Sequence, residues 1–70
     1  MAATLTEREK EIARLLAEGF LTKQVADMLN ISDKTVDFHR ANIARKLGAK
    51  GIPAVVRYAI REGLIKPQQK

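Results

Sequence analysis

Apolar residues recur at helical spacing in four stretches of this chain, each bounded by residues that start or stop a helix. In the first stretch Ile12, Leu15 and Leu16 share a face, while Lys10, Glu11, Arg14 and Glu18 point the other way. Thr6 precedes it, with Glu9 three residues on. This is the capping-box pattern, in which two side chains satisfy two orphan backbone donors. Gly19 supplies the stop, so a helix is predicted over 7–18. A second helix is predicted over 23–29, with Thr22 as its cap, Val25, Met28 and Leu29 as its apolar stripe and Asn30 as a left-handed terminator. The third, over 33–47, starts after the cap Ser32 and stops at Gly48. A fourth is predicted over 53–62, with Pro53 in its first turn and Gly63 beyond its end.

The link Asn30-Ile31-Ser32 is too short to turn the chain gradually, so the third helix leaves the second at a steep angle with Ile31 in the corner. Val36, Ile43 and Leu47 form the inner face of the third helix, with Arg40 at its edge. Lys34, Asp37, Phe38, Ala41 and Arg45, at offsets 0, 3, 4, 7 and 11, form one continuous outer stripe. The expected architecture is an all-α, four-helix domain over 6–65, with flexible segments at 1–5 and 66–70.

With 70 residues there is room for one modest core, and without cysteine there are no disulfides or thiolate metal ligands to reinforce it. The single histidine, His39, has no partner ligand at metal-binding spacing, so no metal and no cofactor is expected. An enzyme is not expected either. The sequence has no Gly-rich phosphate loop, no nucleophile beside a base and no carboxylate pair in an apolar setting. No apolar run approaches the ~20 residues that span a bilayer. The start Met1–Thr4 has neither region of a secretory signal, which points to an intracellular location with no membrane partner.

Charge changes the picture more than composition does. Residues 1–33 carry four basic and six acidic side chains, whereas residues 34–70 carry nine basic and two acidic. The basic excess begins where the third helix begins, and it suits a polyanionic partner. Two short helices joined by a three-residue turn, the second helix basic and outward-facing, make a helix-turn-helix pattern. A DNA major groove about 12 Å wide accepts one such helix.

The residues carry the reading further. Leu5-Thr6-Glu7-Arg8-Glu9, Gly19, Lys23-Gln24-Val25-Ala26, Leu29-Asn30-Ile31-Ser32, Lys34-Thr35-Val36, His39 and Lys46-Leu47-Gly48-Ala49 together resemble the LuxR-type helix-turn-helix family over Leu5 to Ile65. The run Thr35–Arg40 and the ending Val56-Arg57-Tyr58-Ala59-Ile60 look like its FixJ/NarL branch, in which the domain is usually the C-terminal output half of a two-component response regulator. The resemblance implies a bacterial, cytoplasmic transcription regulator that binds double-stranded DNA with its third helix and dimerises through its fourth. The operator would be an inverted repeat, and RNA polymerase is a further partner to expect. Dimerisation would occur either on DNA or within the full-length protein. A standalone small regulator, and a protein-interaction module without a DNA role, are the alternative readings.

By matching positions, Asp37, Phe38 and Ala41 occupy the places from which the family reads bases. Lys34 and Thr35 sit at the helix start next to the phosphates, and Lys34 is counted with the base-facing residues as well. Thr22 and Lys23 match backbone contacts, and Ser32, His39, Arg40, Arg45, Lys46 and Lys50 complete the expected phosphate set. Asp37 and Ala41 depart from the Lys or Arg, and the polar or basic residue, that many members carry there. Asp37 then either accepts from a cytosine amino group or pairs with Arg40 or Arg45 and positions them. Phe38 either packs on a thymine methyl or folds back over the edge of the second helix. In the fourth helix Ile52, Val55, Val56, Tyr58, Ala59 and Ile60 cover more than half the circumference. The excess serves either a subunit contact through Ile52, Val56 and Ile60 or the burial of Leu64 and Ile65.

Overall fold

A computed structural model of the chain describes residues 4–48 and 51–66. It contains four helices, α1 (Glu7–Ala17), α2 (Thr22–Leu29), α3 (Asp33–Leu47) and α4 (Ile52–Arg61). The predicted starts follow from real caps at α1 and α3. The Thr6 hydroxyl accepts from the Glu9 backbone N–H at 3.1 Å, and the Glu9 carboxylate accepts from the Thr6 N–H at 2.9 Å. Ser32 Oγ accepts from the Thr35 N–H at 3.1 Å. The predicted stops hold too, with left-handed backbone at Asn30 (φ 58°) and Gly48 (φ 71°) closing α2 and α3.

The start of α2 is a correction. Thr22 is the first helical residue rather than the cap, and Leu21 takes the cap position without offering a side-chain acceptor. Gln24 Oε1 instead accepts from the Leu21 N–H at 2.8 Å, which satisfies the cap residue's own donor. The α4 helix begins one residue before Pro53, at Ile52, and ends at Arg61.

The α1 helix packs against each of the other three, while α2 and α4 do not meet. The largest fully enclosed side chains are Ile12 from α1, Val25 from α2, and Val36 and Ile43 from α3. Ile31 packs against this core from the α2–α3 corner, and Leu47 from the end of α3. Two expectations about the core fail. Met28 is half exposed, and Ala26 takes the inward place on α2 that the apolar stripe assigned to it. Leu5, expected in a flexible segment, is a core residue at 3% exposure, so the packed domain starts before its first helix. Of the C-terminal tail expected at 66–70, residues 67–70 lie outside the described residues. Among the described residues no helix is long and apolar enough to cross a membrane.

An ion pair joins the start of α1 to the end of α3. Lys46 Nζ lies 2.8 Å from Glu9 Oε1 and 3.4 Å from the Thr4 carbonyl oxygen. Burial alone pushes the Glu9 carboxyl upward, but the Lys46 ammonium and the Thr6 N–H and hydroxyl outweigh it and hold its pKa below the ordinary 4.5. Glu9 therefore serves the cap and the inter-helix tie with one carboxylate.

Because the folded pKa is depressed, the stabilisation from Glu9 is complete above the ordinary value of 4.5 and is lost as pH falls through the lower folded value. Thermal melts should show Tm dropping through this acidic window, and Glu9→Gln should flatten that drop while lowering Tm at pH 7. In urea titrations Lys46→Met should destabilise by about 2 kcal/mol, because it removes a charged hydrogen bond and leaves the Glu9 carboxylate with the Thr6 donor alone. A wild-type midpoint in Lys46→Met would show that the tie contributes nothing.

Candidate nucleic-acid interface

The orientation of α3 follows from its inner face. Val36 and Ile43 are 0% and 1% exposed, so the opposite side of the helix must face solvent. Lys34, Asp37, Phe38, Ala41 and Arg45 are all exposed there, as the periodicity predicts. Phe38 is 65% exposed and does not fold back over α2. Its ring instead meets the His39 ring edge to face, with centroids 5.9 Å apart and planes at 66°.

The two flanks of this stripe differ. On one, Thr35, His39 and Lys46 recur at helical spacing and are half-buried. His39 Nδ1 is enclosed without a hydrogen-bond partner among the described residues, and Lys46 is held by Glu9. Lys46, expected on phosphate, therefore has its ammonium turned onto the α1 start. On the other flank Arg40 Nη1 lies 3.5 Å from Asp37 Oδ1 and 3.4 Å from the Thr22 hydroxyl. These long contacts link the middle of α3 to the first turn of α2. Of the two roles open to Asp37, the geometry shows pairing with Arg40. Arg45, the other basic residue within reach in sequence, donates to Asn42 Oδ1 at 2.9 Å.

Lys23 is exposed in the first turn of α2, beside the half-buried Thr22, while Ser32 and Thr35 form the α3 cap and share a 2.9 Å hydroxyl contact. Thr22, Lys23, Ser32, Lys34 and Arg40 thus come from the α2 start, the turn and the first half of α3, and they border the stripe. Lys50 lies outside the described residues.

Beside the stripe, an open groove of about 730 Å³ separates α3 from α4, with Ala41, Ala44 and Gly48 on one side and Ile52 and Val55 on the other. Within α4, Ala54, Val55, Tyr58 and Ala59 are buried, Ile52 is 39% exposed, and Val56 and Ile60 are half-buried. The three expected dimer residues are therefore not equally available. Leu64 packs against the core, and both Leu64 and Ile65 donate backbone N–H groups to the Ala59 carbonyl. The apolar breadth of α4 is thus partly accounted for within one chain.

Residues 3–59 match the family model described as "Bacterial regulatory proteins, luxR family". The chain belongs to the luxR family. It is a LuxR-type helix-turn-helix domain, of the DNA-binding class that regulates transcription. Oxygen regulatory protein NreC of Staphylococcus aureus (strain JH9) is 42% identical over 62 residues, covering 89% of this chain and 29% of NreC. The luxR-family chain thus spans less than a third of that relative's length. The structure of the transcription factor GerE superposes with a TM-score of 0.75 at 41% identity, covering 84% of this chain and 88% of GerE. The crystal structure of the Vibrio cholera VqmA-ligand-DNA complex gives a TM-score of 0.75 at 32% identity, covering 90% of this chain and 28% of that one. In luxR-family terms, α2 and α3 are the helix-turn-helix pair and α3 is its second helix.

The cross-helix contacts Arg40–Thr22 and Lys46–Glu9 carried no signal in the sequence. Their partners lie 18 and 37 residues apart, beyond any local periodicity.

Folding and surface chemistry separate cleanly on α3. Phe38→Ala should leave stability within about 0.5 kcal/mol of wild type, as expected for an exposed position. Ile43→Ala should cost about 3 kcal/mol through lost burial and a cavity. Urea denaturation of the two variants checks this, and a large loss in Phe38→Ala would mean that the ring is part of the core.

Proposed function

We propose that this chain is the DNA-binding output domain of a bacterial two-component response regulator and that it inserts α3 into the major groove of an inverted-repeat operator. The observation that carries this reading is the exposed α3 stripe with basic residues at both ends, held outward by the burial of Val36 and Ile43. Lys34, Asp37, Phe38 and Ala41 face base edges. Thr22, Lys23, Ser32, Thr35, Arg40 and Arg45 meet phosphates on either side, and His39 offers its Nε2 because Nδ1 is enclosed. Likeness to the VqmA–DNA complex supports the DNA partner, and the short share of NreC that the chain spans supports an output half with its signal-receiving part elsewhere. Two copies meet through Ile52, Val56 and Ile60 of α4, on DNA or within the full-length regulator. The regulator acts in the cytoplasm, with RNA polymerase as a further partner.

Selection of bound sequences from a random duplex pool at two salt concentrations tests this reading. Enrichment of a palindromic site is expected, with two chains per duplex in sedimentation. Enrichment of no sequence at either salt contradicts specific recognition, and one chain per duplex contradicts the dimer. Lys23, Arg40 and Arg45 are three cationic phosphate contacts per chain, so about six neutralised phosphates per dimer should lower affinity by about three orders of magnitude between 50 and 200 mM salt. Lys34→Ala should weaken binding selectively and relax sequence choice at the base pair that its ammonium meets. Uniform weakening with a salt slope reduced by about one would place it on phosphate instead, and unchanged affinity everywhere would remove Lys34 from the interface.

A further inference from the structure

The centre of the α3 stripe is apolar where the rest of the domain's charge pattern makes a polar surface expected. Phe38 is 65% exposed, and Ala41, three residues on, is exposed with a side chain no longer than a methyl. Lys34 lies one turn before Phe38 and Arg45 about two turns after it, so a basic residue stands at each end of the apolar spot. The neighbouring Asp37 carboxylate lies 3.5 Å from Arg40 Nη1, which also reaches the Thr22 hydroxyl on the α2 side of the helix. One edge of the ring meets half-buried His39, with centroids 5.9 Å apart. The result is an exposed aromatic face, with space beside it at Ala41, between cationic anchors.

Base edges in a major groove are lined almost entirely by hydrogen-bond donors and acceptors. The apolar exception is the 5-methyl group of thymine. A phenyl ring set against guanine, cytosine or adenine edges strips water from polar atoms and returns no hydrogen bond. Set against a methyl group, it removes apolar surface from water on both sides. We infer that Phe38, with Ala41 beside it, reads the 5-methyl group of a pyrimidine in each half-site, so that sequence choice at that base pair rests on a methyl contact rather than on a hydrogen bond. This inference rests on the placement of α3 in the major groove and adds the chemistry that one of its positions recognises.

The test replaces each thymine of the selected duplex, one at a time, by deoxyuridine, which deletes the methyl group and leaves base pairing intact. Wild-type protein should lose about four-fold in affinity at one position per half-site, the worth of one buried methyl-sized group. That loss should vanish in Phe38→Ala and persist in part in Phe38→Leu, which keeps an apolar side chain. Replacing the same T·A pair by 5-methylcytosine·G should be tolerated better than replacing it by C·G. A scan in which no uracil changes affinity by two-fold overturns the methyl reading while leaving DNA binding intact. So does a uracil penalty that is the same in wild type and Phe38→Ala. Failure to bind the parent duplex at any salt overturns the major-groove placement and the methyl reading together.

Discussion

Burial of Val36 and Ile43 sets the rotation of α3 about its own axis, and everything proposed for the surface depends on that rotation. Both side chains are enclosed beside Ile12 of α1 and Val25 of α2. A helix turned by one residue, about 100°, would carry Val36 toward solvent and bring polar neighbours inward without partners. With the rotation fixed, the residues half a turn away have no choice but to form the exposed stripe. The same burial explains why a stripe containing an acidic, an aromatic and a methyl-sized side chain is tolerated. None of these is asked to hold the fold.

Helix caps, left-handed stops and one ion pair fix what apolar packing leaves undetermined. Capping at Thr6 and Ser32 defines where α1 and α3 begin, and left-handed backbone at Asn30 and Gly48 defines where α2 and α3 end. The steep α2–α3 corner follows from Asn30, Ile31 and Ser32 acting together as stop, plug and cap. The Glu9–Lys46 pair then joins the first turn of α1 to the last turn of α3, and the Lys46 contact to the Thr4 carbonyl brings in the strand of chain that carries Leu5. In a domain with a small core and no disulfide, one nearly buried ion pair that also completes a helix cap is a large share of the polar scaffolding.

Most of the fold was legible because its signals are local. Capping residues, glycine and asparagine stops and helical periodicity predicted four helices with ends displaced by about one residue. The errors arose where packing overrides pattern. Met28 falls on the apolar side of a short helix, yet a two-turn helix buries few residues, and Ala26 lets α2 approach more closely than a long side chain allows. Leu5 precedes the first cap, so periodicity offers no reason to bury it. The outer stripe of α3 was legible in full, because it is the complement of an unambiguous inner face. What each basic residue does was not. Lys46 and Arg45 are one residue apart in sequence, yet one faces Glu9 across the domain and the other stays on the surface beside Asn42. Only three-dimensional packing distinguishes a scaffold lysine from a surface arginine.

The outer stripe of α3, with the first turn of α2 beside it, is proposed as the surface that meets DNA. Amide chemical-shift mapping of the labelled protein on titration with a selected duplex tests this directly. The largest perturbations are expected across Ser32 to Arg45 and at Thr22 and Lys23, with the outward face of α1 around Glu7, Glu11 and Arg14 unchanged. Perturbations centred on α1, with the α3 stripe silent, would contradict it.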